Sequence, residues 1–204
     1  MFSYALVFAL FGLIAAFPVP TNPRDKKFYD ALPQEIQKFV QDLTEQDVEI
    51  LNDLDKETDP KIRNDPSFNI AKAIELIKPK SESLYNRVKT LNDALMARIN
   101  GLSSEPKSFM TQVLNKLFRF DTLPSDEQKI QEIVNILKGL KNMSPSSKQN
   151  LYQAFPIFQM VFEDQKFQKV FSDIENMTPA QIIQYNKQHG IKMDFGKRDF
   201  LGKQ

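Results

Sequence analysis

Between Ser81 and Asn100 the apolar residues Leu84, Val88, Leu91 and Leu95 step by four, three and four, and Leu102 follows seven later. That spacing lays one stripe along a long helix, which Gly101 closes. Similar stripes recur along the chain. "FYDALPQEIQKFVQDL" carries Ile36, Phe39, Val40 and Leu43 on one face, and "TEQDVEILNDLDKE" follows with Val48, Ile50, Leu51 and Leu54. These predict two short helices in sequence, the second capped by Thr44, with Asp47 completing a capping box. "DPSFNIAKAIELIKP" predicts a helix capped by Asp65, with Pro66 at its first position and a stop near Pro79. After Ser104 and Pro106 come Phe109, Met110, Val113, Leu114, Leu117 and Phe118, and "PSDEQKIQEIVNILKGL" adds Ile130, Ile133, Val134, Leu137 and Leu140.

Three shorter helices are expected from Pro145 to Ala154, Pro156 to about Glu163 and Asp164 to about Glu175, before Thr178 caps "TPAQIIQYNKQHG". Leu151, Phe155, Phe158 and Phe162 keep the four, three, four step, and Phe167, Val170, Phe171 and Ile174 continue it after a break. Aromatic stripes at this spacing are usually core. No convincing strand pattern appears, and no repeat of fixed length. The frequent Ser-Pro, Thr-Pro and Asp-Pro starts favour short helices around one or two long ones. The predicted fold is therefore all-α, an irregular bundle of about nine to eleven helices, several of them short.

With 204 residues and 41% hydrophobic content the chain suffices for one domain. Lys and Arg number 27 against 26 Asp and Glu, so the surface lacks the basic surplus a nucleic-acid partner calls for. The chain has no cysteine and a single histidine, His189, which leaves little for a zinc site, a thiol nucleophile or a Ser-His-Asp triad. His189 precedes Gly190 at the end of a predicted helix, where the dipole favours it. No carboxylate pair is singled out for general acid-base work, so no enzyme and no cofactor are expected.

The start is different in kind. "MFSYALVFALFGLIAAFPVP" has an apolar run of about thirteen residues ending in small ones, too short to span a bilayer and patterned as a secretory signal. Residues 1–16 are expected to be that signal, with Phe17 opening the mature chain. Residues 17–190 are the expected helical domain and 191–204 a flexible tail. Secretion without cysteines means that apolar burial alone holds the fold. In "KMDFGKRDFLGKQ" basic and aromatic residues interleave, which allows transient membrane contact, although a solvated terminus is the plainer reading.

"ALPQEIQKFVQDLTEQDVEIL", "SLYNRVKTLNDALMARINGLSSEPKSFMTQVLNK" and "AFPIFQMVFEDQKFQKV" resemble, in order and spacing, the nematode fatty acid- and retinol-binding proteins. The resemblance runs over roughly residues 28 to 175; Lys56 to Lys78 matches poorly, and the chain from Met177 onward extends beyond it. It implies a secreted monomeric carrier that holds fatty acids and retinol, without covalent attachment, in an internal apolar cavity. It also implies a kinase site at "TEQD", though the same spacing serves a helix cap.

A lipid cavity needs aliphatic and aromatic walls with few polar groups. The expected lining is Leu84, Val88, Leu91, Leu95, Phe109, Val113, Leu117, Ile133, Leu137, Phe155, Phe158 and Phe162. Arg87, Arg98 and Arg119 are the candidate carboxylate partners, with solvated surface the commoner fate for such residues. Asn142 and Asn176 open glycosylation sequons, each followed by proline. The alternative is a secreted helical protein-interaction module whose stripes are all core and which carries no lipid.

Overall fold

The computed structural model describes residues 23–191. The predicted signal segment and nearly all of the tail lie outside the described residues. Within them the chain forms eleven α-helices and one 3-10 turn, with no strand. They are α1 (Pro23–Asp30), α2 (Gln34–Gln41), α3 (Glu45–Asn64), α4 (Ile70–Glu75), α5 (Glu82–Asn100) and α6 (Ser104–Phe118). The turn η1 (Phe120–Thr122) leads to α7 (Asp126–Asn142), α8 (Pro145–Ala154), α9 (Pro156–Phe162), α10 (Gln165–Ile174) and α11 (Pro179–Gln188). The expected all-α bundle is what the structure contains.

Side-chain caps start most of these helices, because a short helix leaves its first N–H groups without internal partners. Ser81, Ser125, Ser144 and Asp164 each accept from the backbone N–H three residues on. Thr44 and Thr178 go further and close capping boxes, with Asp47 and Gln181 reaching back to the cap N–H. The Thr44 hydroxyl accepts from the Asp47 N–H at 3.2 Å and donates to Asp47 Oδ2 at 2.7 Å.

Two boundaries differ from expectation, and long-range arginine hydrogen bonds accompany both. α3 is no short helix; it runs 20 residues and passes through Pro60. A proline there removes one helix hydrogen bond and crowds the preceding turn. The last turn is fastened from outside: Arg63 donates to the Asp121 and Thr122 carbonyls at 3.2 and 3.0 Å, and Ile62 is buried. The following helix does not begin at Asp65. That residue caps the C-terminus of α3, and its Oδ1 accepts from the Ser67 N–H at 2.8 Å. α4 starts at Asn69, whose Oδ1 accepts from the Lys72 N–H. In the non-helical link 65–69 Arg119 collects the carbonyls of Pro66 at 2.7 Å and Phe68 at 2.8 Å, and it also donates to that of Ile62 in the last turn of α3 at 3.1 Å. Phe68 stacks on Phe118 beside this knot, with ring centroids 6.1 Å apart.

α5 is the element that both halves share. α2 and α4 pack along it, and α6 turns back on it after Gly101. α6 then supports α7 and α8, α8 supports α9, and α11 lies on the far face of α7. The apolar interior falls into two main clusters. One is built from α1 to α5 and includes Ile36, Phe39, Val40, Val48, Ile77, Leu84 and Leu91. The other is built from the end of α5 through α10 and includes Ile99, Met110, Val113, Leu140, Phe155 and Phe158. Leu95 packs against both. A small third cluster of Ile130, Val134 and Ile182 seats α11.

The Arg119 knot gives a direct expectation. Replacing Arg119 by Ala strands three carbonyls and should cost about 2–3 kcal/mol in urea unfolding, against about 1 kcal/mol for Arg63→Ala. Equal losses for the two variants contradict the assignment.

Candidate functional site

All twelve residues expected to line a lipid site face inward, but the structure does not gather them in one place. Leu84 and Leu91 are buried in the first cluster, with Val88 half-buried against it. Val113, Leu117, Ile133, Leu137, Phe155 and Phe158 are buried in the second, with Phe109 and Phe162 half-buried on its margin. Leu95, half-buried, is the residue the two groups have in common.

The phenylalanines of α8 to α10 and of α6 form two ring systems. Phe155 meets Phe158 edge to face, with centroids 6.3 Å apart and planes at 89°, and Phe158 meets Phe109 at 6.4 Å and 69°. Phe109 in turn covers Gly139 of α7: a Cβ there would stand 3.1 Å from its ring, so this close helix approach depends on the missing side chain. The second system is Phe162, Phe167 and Phe171, with centroids 5.9 to 6.2 Å apart. Edge-to-face and offset arrangements place the positive ring edge near a negative face. The dense ring content of this stretch thus packs as two trios, each joining two buried rings of the second cluster to one half-buried ring at its margin, Phe109 in the first and Phe162 in the second.

The three arginines proposed as head-group partners are neither free nor merely solvated. Arg119 holds the α3–α4 link. Arg87 donates to the Asp42 carbonyl and to Asp47 Oδ1, both at 2.7 Å. Arg98 donates to Glu35 Oε1 at 2.5 Å and to the Ala154 carbonyl at 3.1 Å, tying α5 to α2 and to the end of α8. Their periodicity gave no signal of this, since each partner lies forty or more residues away in the chain.

Burial pushes the Asp47 carboxyl up, but hydrogen bonds from Arg87 and from the Thr44 N–H and hydroxyl, with the Arg87 charge, leave it below its ordinary value. For Glu35, burial is likewise outweighed by the Arg98 hydrogen bond and charge. Both carboxyls therefore add stability above the unfolded carboxylate pKa, which is lost as acid protonates them in the folded chain.

Between α2 and α5, over these ion pairs, the surface opens into a groove of about 330 Å³. Glu35, Lys38 and Phe39 line it from α2, with Asp42 from its C-cap, and Asn86, Arg87, Thr90, Leu91 and Ala94 from α5. Of the twelve expected lining residues, Leu91 reaches it. Phe39, Lys38 and Ala94 were missed: Phe39 reads as plain core, and Ala94 matters because it is small, which periodicity does not record.

Among the described residues no group of His, Asp and Glu side chains is arranged to hold a metal ion, and no helix is long and apolar enough to cross a membrane. His189 is the C-cap of α11, its ring 4.2 Å from that of Tyr185, and Gly190 beside it takes φ 64°.

Comparison with known proteins points one way. The family model of the nematode fatty acid retinoid binding protein (Gp-FAR-1) matches residues 26–174. The chain is 26% identical over 178 residues to the fatty-acid and retinol-binding protein 1 of Loa loa, covering 84% of this chain and 97% of that protein. Against the same-named protein of Wuchereria bancrofti the identity is 27% over 177 residues, 83% of this chain and 95% of that one. That of Onchocerca volvulus is 25% identical, with 83% and 96% covered. α11 lies beyond the family match.

The ring geometry sets a stability order. Phe155→Ala removes a fully buried ring and should cost about 3–5 kcal/mol in urea unfolding without ligand, whereas the half-buried Phe162→Ala should cost about half as much. A Phe162 loss equal to that of Phe155 contradicts this placement.

Proposed function

We infer the function of this chain from its family: it belongs to the nematode fatty acid retinoid binding proteins, and we propose that it is a carrier which binds fatty acids and retinol without covalent chemistry. The single observation that carries this is the match over residues 26–174, which takes in every helix from α2 to α10. The family is one of lipid carriers and not of enzymes. Relatives named for fatty-acid and retinol binding match over nearly their whole length.

Physical chemistry supports the same reading. Burying a lipid chain yields roughly 0.8 kcal/mol per methylene, so an apolar interior binds such cargo with no reaction. In the proposal the cargo lies in an internal cavity along the seam at Leu95, walled by the twelve inward-facing residues. Leu84, Val88 and Leu91 stand on one side, and Phe109, Val113, Leu117, Ile133, Leu137, Phe155, Phe158 and Phe162 on the other. The protein acts outside the cell as a monomer, entering the secretory route through residues 1–16, and touches membranes transiently when it loads. The cysteine-free composition suits a fold held by apolar burial.

Mass spectrometry of lipids extracted from the purified native protein should find fatty acids or retinol, and both oleate and retinol should displace a fluorescent fatty acid from it. Absence of extracted lipid together with no binding of either probe would overturn the proposal in favour of a helical protein-interaction module.

A further inference from the structure

The groove between α2 and α5 differs from an ion-binding cleft in how its rim charges are disposed. Arg98 is paired with Glu35 and Arg87 with Asp47, and Lys38 stands 3.7 Å from Asp42. The second Arg87 amine is taken by the Asp42 carbonyl, and the Thr90 hydroxyl is turned onto the Asn86 carbonyl at 2.8 Å. Two acids and two bases line the groove, and each has an opposite charge beside it. The apolar part of the lining is Phe39, Leu91 and Ala94.

Size narrows the occupant. From Arg87 to Ala94 the groove follows seven residue steps of α5, about 10 Å at 1.5 Å per step, the length of an extended chain of roughly eight carbons. A volume of 330 Å³ lies at the lower end of small-ligand pockets, which begin at about 300 Å³. A stable protein partner needs about 800 Å² on each side, far more than this cleft offers.

We propose that this groove is a lipid subsite that recognises the apolar chain and is indifferent to the head group. An aliphatic chain lies over Phe39, Leu91 and Ala94, and its head rests at the rim in water, where the mutually neutralised charges neither attract a carboxylate nor penalise a hydroxyl. The inference rests on the carrier reading and deepens it: one site serves acids and alcohols of equal chain because only the chain is read. The Arg98–Glu35 pair and the Arg87 bond to the Asp42 carbonyl are positioning contacts that hold α2 against α5.

Decanoate and 1-decanol, titrated into the purified protein and followed by amide NMR shifts, test this. Both should move the amides of α2 and α5 around Phe39, Leu91 and Ala94, with dissociation constants within about threefold, and neither should weaken by more than twofold between 50 and 500 mM salt. Ala94→Phe fills the groove and should weaken both at least tenfold there. Ala94→Leu, a smaller filler that keeps the helix, should do so to a lesser degree if the Phe variant misfolds. Tenfold preference for decanoate, or a salt-sensitive affinity, overturns head-group indifference. Unchanged shifts in both variants overturn the groove itself while leaving the carrier reading intact if oleate still binds; a wild-type protein that binds neither probe nor oleate removes both.

Discussion

Everything in this fold hangs on the apolar stripe of α5. With no cysteine to staple the chain and no metal group among the described residues, the two halves are joined by what that helix buries on either side. Leu84 and Leu91 look into one cluster and Ile99 into the other, and Leu95 touches both. Helices of six to ten residues, which make up much of the remainder, are too short to stand alone in water. Their caps set where they start, and packing against α5 or its partners keeps them folded.

The polar interactions act differently from the apolar ones. Arg63, Arg87, Arg98 and Arg119 each donate to backbone carbonyls of distant segments. A planar guanidinium with several donors suits this work better than a lysine, because it satisfies two or three carbonyls of an irregular link at once. In a bundle with many helix ends, such links are where unsatisfied carbonyls accumulate. The same use of arginine leaves the α2–α5 groove electrically balanced, and this connects the architecture to the way lipid chains would be recognised.

Much of this was legible in the sequence, and the reason is local. Stripes at three and four spacing located α2, α5, α6 and α7, and Ser, Thr or Asp with a following proline located α8 and α11. These signals act over one or two turns and need no knowledge of the rest. What was not legible depends on contacts across the chain. The pattern closed the second helix near Glu57 and opened a new one at Asp65-Pro66, yet Arg63 fastens the last turn of α3 and Arg119 holds the link after it, each from more than fifty residues away. For the candidate site, periodicity found the inward faces and had no means of dividing them between two clusters. It also passed over Ala94, which lines the α2–α5 groove, and it offered Arg87 and Arg98 as head-group partners or solvated surface, whereas they bond to Asp42, Asp47, Glu35 and the Ala154 carbonyl.

The central claim is that a lipid is held where the two clusters meet on α5. Native hydrogen exchange of the delipidated protein, with and without oleate, tests it most directly. Opening of local structure is what exchange reports, and a ligand bound to the folded state raises that cost by about 2.7 kcal/mol at a hundredfold excess over its dissociation constant. The account predicts slowed exchange along α5 on both sides of Leu95 and in the facing turns of α2, α6 and α9, with α11 unchanged. Slowing confined to α11, or none anywhere despite saturating oleate, would contradict it.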